Sequence, residues 1–130
     1  MAMDFMKPWT AQVYALMRIM VGLLFMSHGL SKLVHFPVPP PGEAPFFVLY
    51  TAGPIELVCG AFVALGFLTS PAAFLASGTM AAAYFMAHFP RGFFPIVNGG
   101  ELAVLYCFAF LFISAYGSGI WSVDAVRGKA

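Results

Sequence analysis

Apolar residues in this chain do not alternate; they run in four long blocks separated by breaks rich in proline and glycine. The blocks cover roughly residues 11–33, 46–68, 71–89 and 99–117. A helix crosses about 30 Å of hydrocarbon with about 20 apolar residues, and each block reaches that length, the last two narrowly. Backbone polar groups must be satisfied internally in lipid. The pattern therefore predicts an all-α integral membrane four-helix bundle, a single domain running up-down-up-down with both termini on the same side.

The breaks differ in kind. The first, VHFPVPPPGEAP, is long, and its prolines stop the first helix and hold the chain extended. The second, around Thr69, Ser70 and Pro71, is short, so helices two and three form an antiparallel hairpin. Ser70 is the expected N-cap there, with Pro71 at the first helical position. The third, PRGFFPIVNG, is aromatic, and the tail GSGIWSVDAVRGKA is polar.

Composition removes the main alternatives. Of 130 residues, 62% are hydrophobic and 8% charged, whereas soluble domains carry about 25% charged residues. A net charge of +1 without a basic stripe argues against nucleic acid as a partner. Cys59 and Cys107 both lie inside apolar blocks, which is not a disulfide framework. Cys59 reads as a buried, inert thiol. No spacing suits zinc or an iron–sulfur cluster, so no metal is expected.

The first block is read as retained rather than cleaved, because Arg18 interrupts it and no A-x-A pattern follows. Lys7, Arg127 and Lys129 on one side against Lys32 and Arg91 on the other favour cytoplasmic termini in a plasma (inner) membrane. Arg18 is expected to snorkel toward that surface. Trp9, Tyr14, Tyr50, Tyr116 and Trp121 read as interfacial anchors.

The few polar residues then stand out. His28, Lys32, Glu56, His88, Arg91, Asn98 and Glu101 fall at or near the same ends of the four segments. Ionisable groups near hydrocarbon pair, face inward and mark sites. On helix one, Arg18, Gly22, Phe25, Gly29 and Lys32 share a polar or small stripe, which lets another helix approach closely. Glu56, in GPIELVCG near the start of the second segment, needs a cation, with Lys32 or His28 at matching depth. His88, Arg91 and Glu101 bring a base, a cation and a carboxylate to one level. The candidate catalytic residues are His28, Glu56, His88 and Glu101; the candidate ligand-binding residues are Arg18, Lys32, Arg91 and Asn98. Each of these also has a structural reading, as an ion pair or bundle seam.

These landmarks resemble the DoxX family of small four-helix membrane proteins. One is R-x-x-x-G-x-x-F-x-x-x-G-x-x-K, here Arg18, Gly22, Phe25, Gly29 and Lys32. A glutamate-led helix running to a leucine–glycine turn follows, here Glu56 to Leu65 and Gly66. Then come His88 with Gly92 and Phe93, Glu101, and a tail with Gly117, Gly119, Ser122 and Asp124. Ser118 departs from the family's tail, where relatives often carry proline. The resemblance implies a four-helix membrane protein, with some relatives tied to quinone-linked oxidation of reduced sulfur compounds through partner subunits.

The leading expectation is a membrane subunit of a quinone-linked oxidoreductase system, with quinone as the candidate cofactor. Lys32 or Arg91 would donate to a developing oxyanion, and His28 or His88 would pass protons, with Glu56 and Glu101 setting their charge. The alternative is a non-enzymatic scaffold whose charged pairs are struts and whose proline loop contacts partners. Membrane lipid and a homo-oligomer or membrane complex are the expected partners.

Overall fold

A computed structural model describes residues 4–40, 42 and 45–130. Pro41, Glu43 and Ala44 of the proline-rich loop lie outside the described residues. All regular structure among the described residues is helical. After a 3-10 turn at Lys7–Trp9 come α1 (Thr10–Val34), α2 (Phe46–Leu65), α3 (Thr69–Ala83), a short α4 (Pro95–Asn98), α5 (Glu101–Tyr116) and a short α6 (Val123–Val126).

Among the described residues, three stretches are long and apolar enough to cross a membrane: Lys7–Val34, Phe46–Leu65 and Thr69–Arg91. The fourth falls short of its expected span. α5 has 16 residues, about 24 Å at ~1.5 Å per residue, because Gly117 leaves helical geometry at φ 101°. The second helix also ends before its expected limit. Gly66 adopts the left-handed conformation at φ 71°, and Phe67 N–H closes the turn on the Phe62 carbonyl at 2.9 Å. The third segment is regular only to Ala83; a π-helical turn follows at Tyr84–His88 and a 3-10 turn at Phe89–Arg91. Pro90, which has no N–H, lies in that last turn.

The Ser70 cap is a correction. Thr69 already lies in α3, and no side chain of the connection caps the helix. Instead Asp124 reaches in from the tail: Leu68 N–H donates to its Oδ1 and Thr69 N–H to its Oδ2, each at 3.1 Å.

α1 and α2 lie antiparallel at backbone contact. A Cβ on Gly22 would sit 2.5 Å from the amide nitrogen of Ala64, and one on Gly29 2.5 Å from that of Leu57. Gly60 reciprocates, with a Cβ 2.5 Å from Met26 N. Lipid tails are as apolar as leucine, so helix association in a membrane rests on such close packing and on interhelical hydrogen bonds. α3 and α5 form the second pair, tied by Ser77 Oγ to the Cys107 carbonyl at 2.7 Å and Ser114 Oγ to the Ser70 carbonyl at 3.0 Å. Between the pairs lie Phe25, Val63, Ala73, Ala76, Phe110 and Ile113, all buried. Phe25 meets Phe110 edge-on at 4.7 Å.

Candidate functional site

The stripe on α1 is divided between two ends of the molecule. Gly29 brings α2 close enough for Lys32, one turn further along α1, to reach Glu56. The Lys32 ammonium grips both carboxylate oxygens, Oε1 and, at 2.9 Å, Oε2. Glu56 is 2% exposed and the Lys32 side chain 20%. Glu56 therefore lies deeper than its motif suggests: α2 starts at Phe46, and Pro54 and Glu56 are both inside it. A carboxylate at that depth would be costly alone; paired, it is held by charge and two hydrogen bonds.

His28 lies beside this pair, within electrostatic reach of Lys32. Its ring is exposed and meets the edge of Tyr106 at 6.0 Å. Tyr106, from α5, is buried, stacks on Phe110 and comes within electrostatic reach of Glu56. Tyr106 was missed by sequence reasoning. No sequence signal marked it: at i+5 from Glu101 it shares no helical face with that residue.

Arg18 lies at the opposite end and does not snorkel. It is fully buried, and its guanidinium donates to main-chain carbonyls from both α2 and the tail. Nε reaches Val63 at 3.1 Å, Nη2 reaches Trp121 at 2.7 Å and Ala64 at 3.5 Å, and Nη1 reaches Ile120 at 3.0 Å and Ser118. Arginine suits this task because its donors fan out in a rigid plane. Tyr14 likewise is no interfacial anchor: it is buried, and its hydroxyl donates to the Gly117 carbonyl at 2.6 Å. Trp9, Tyr50, Tyr116 and Trp121 are exposed.

The tail is locked at the same end. Asp124 is buried and also accepts from the Thr69 hydroxyl at 2.9 Å, while Arg127 stands 3.7 Å away. Burial pushes its carboxyl up, but the donors of Thr69 and Leu68, with the Arg127 charge, outweigh it and hold the group below the usual carboxylate range.

The second hairpin makes a separate polar cluster. Asn98 is 1% exposed. Its Nδ2 donates to the Tyr84 hydroxyl at 3.0 Å and the Gly92 carbonyl at 2.9 Å, and its Oδ1 accepts from Gly100 N–H at 2.8 Å. His88 is half-buried, with Nδ1 3.3 Å from the Asn98 carbonyl. Arg91 and Glu101 are both exposed, and no ion pair joins them among the described residues. Thus His28, Lys32 and Glu56 come together, His88 and Asn98 come together, and Arg18 stands apart. No group of three or more metal-ligating side chains occurs among the described residues.

The DoxX family model matches residues 13–89, more than half of the chain. An uncharacterized protein of Haemophilus influenzae is 38% identical over 128 residues, covering 94% of this chain and 96% of its own. An uncharacterized membrane protein of Mycobacterium tuberculosis is 27% identical, covering 86% of this chain and 79% of its own. No solved structure matches. With its membrane-length apolar helices and this family match, the chain belongs to the DoxX family of membrane proteins.

Proposed function

We propose that this protein is a four-helix membrane subunit of a quinone-linked oxidoreductase system, with cytoplasmic termini in a plasma membrane. In this reading the Lys32–Glu56 pair, with His28 and Tyr106, holds a quinone head group or a small substrate. One observation carries it. Lys32 spends two hydrogen bonds on Glu56, an ammonium has a further N–H, and its side chain stays 20% exposed. The donor set fits a carbonyl acceptor in a largely dry setting, where a single charge-assisted hydrogen bond is strong.

Quinone, when bound, supplies the two-electron, two-proton chemistry. The chain's own residues do the rest. Lys32 would orient a carbonyl oxygen, Glu56 would keep Lys32 charged and aimed, and His28 would carry protons between that oxygen and the membrane surface. His88, Arg91, Asn98 and Glu101 are proposed to serve the same membrane face from the other hairpin.

The test is the quinone content of protein purified in mild detergent, measured after solvent extraction. About one quinone per protein is expected for wild type, against the lipid background for Glu56→Gln that elutes and melts as folded protein. Wild type at the lipid background overturns the reading.

A second reading has its own support. Arg18, Asn98 and Asp124 are buried, and their hydrogen bonds tie parts of the chain together. A scaffold that presents its surface to partner membrane proteins uses polar groups in that way.

A further inference from the structure

Two open grooves lie at the end of the molecule away from Lys32 and Glu56, both lined by Tyr14 and Tyr116, whose ring centroids are 4.2 Å apart. The first holds about 370 Å³ along the seam between the start of α1 and the end of α5. It is lined by Lys7, Thr10, Val13, Tyr14, Phe112 and Tyr116, together with Met6.

The polar groups of its walls are already engaged. The Tyr14 hydroxyl is bound to the Gly117 carbonyl, and the Thr10 hydroxyl to the Lys7 carbonyl at 2.7 Å. What faces the seam is therefore ring and aliphatic carbon, and Val13, Phe112 and Tyr116 are 45%, 55% and 53% exposed. Among the described residues that line it, Lys7 is an exposed cation at the rim, at the first residue of the membrane-length stretch. Tyr14 lies about 10 Å below it at ~1.5 Å per residue. A cation at headgroup level above an apolar slot is the complement of a lipid with an anionic head and a hydrocarbon tail.

We propose that this groove binds one acyl chain of an anionic phospholipid, with the lipid phosphate on the Lys7 ammonium. A second copy fits less well, because a two-fold contact through this seam would set Lys7 close to its own twin. A neutral isoprenoid tail would leave Lys7 without a role. The site is separate from the Lys32–Glu56 pair and does not rest on the function proposed for it.

The test is native mass spectrometry of the detergent-solubilised chain mixed with equimolar dioleoyl phosphatidylglycerol and dioleoyl phosphatidylcholine. Wild type retains one phosphatidylglycerol in preference to phosphatidylcholine, the direction that a basic residue at an anionic headgroup implies. Lys7→Ala abolishes the preference, Lys7→Arg keeps it, and Val13→Trp, which fills the slot, removes the adduct. Equal retention of both lipids by wild type overturns the proposal, as does a phosphatidylglycerol adduct that survives Val13→Trp. A dimer that Val13→Trp dissociates without changing lipid retention overturns it in favour of self-association. If Val13→Trp does not accumulate, the Lys7→Ala and Lys7→Arg pair decides, since that exposed site precedes α1.

Discussion

Asp124 caps Thr69 across 55 residues of sequence, taking both its amide and its hydroxyl on one carboxylate oxygen. A helix start thus depends on a side chain from beyond the last long helix. Asp124→Ala should lower stability by about 0.5–2 kcal/mol, the usual effect of losing a cap. The carboxyl is held below its ordinary range, so its contribution is complete above the unfolded value of about 3.9 and fades as pH falls through the lower native value. Thermal unfolding in mild detergent from neutral to acid pH should show wild type losing its advantage over Asp124→Asn in that acid window. A constant gap across the window contradicts this account.

Arg18 ties the tail to α2 through carbonyls alone. Lysine keeps the charge but not the planar fan of donors, so Arg18→Lys should free the tail. Buried carbonyls left unpaired cost about 1–3 kcal/mol each. Hydrogen exchange in residues 117–126 should quicken much more than in α3. Equal protection in both proteins would show that the tail does not need the guanidinium.

Gly29 and Gly78 offer a matched contrast. A methyl at Gly29 meets backbone atoms of Leu57 and Gly53 at 2.5–2.8 Å, whereas one at Gly78 meets nothing within 4 Å. Gly29→Ala should force α1 from α2 and cost about 1–3 kcal/mol, loosening the Lys32–Glu56 grip as well. Gly78→Ala should be neutral or stabilise by about 0.5–1 kcal/mol. Melting temperatures of the two variants in one detergent check the sign of each.

The Lys32–Glu56 pair separates the two functional readings. Lys32→Met alone leaves a buried carboxylate without its cation and should cost about 3–5 kcal/mol. Adding Glu56→Leu should restore most of that, since matched apolar replacements of buried pairs are often tolerated. A folded double variant without quinone supports the head-group site, whereas one indistinguishable from wild type in quinone and partner retention supports the strut.

The helical class was legible because the bilayer imposes a length on apolar runs: α1, expected over 11–33, forms over Thr10–Val34. The pairing of Glu56 with a cation on helix one was legible too, since a carboxylate in hydrocarbon has few choices and Lys32 shares the Gly29 face. Helix ends were less so. Gly66 stops α2 through its backbone conformation, yet the same glycine is required by the approach of Ser122, whose Cβ would stand 2.2 Å from an added methyl.

Local spacing along the chain was enough to establish what the solvent demands: apolar helices of membrane length, glycines where helices touch, charges that must find partners. It could not say that Arg18 would turn to the carbonyls of Ser118, Ile120 and Trp121, or that Asp124 rather than Ser70 would cap α3. Those partners lie up to 103 residues away, and a hydrogen bond depends on distance and angle in space. Periodicity reports only which face of its own helix a residue occupies; which groups meet it there is settled when the helices and the tail pack together.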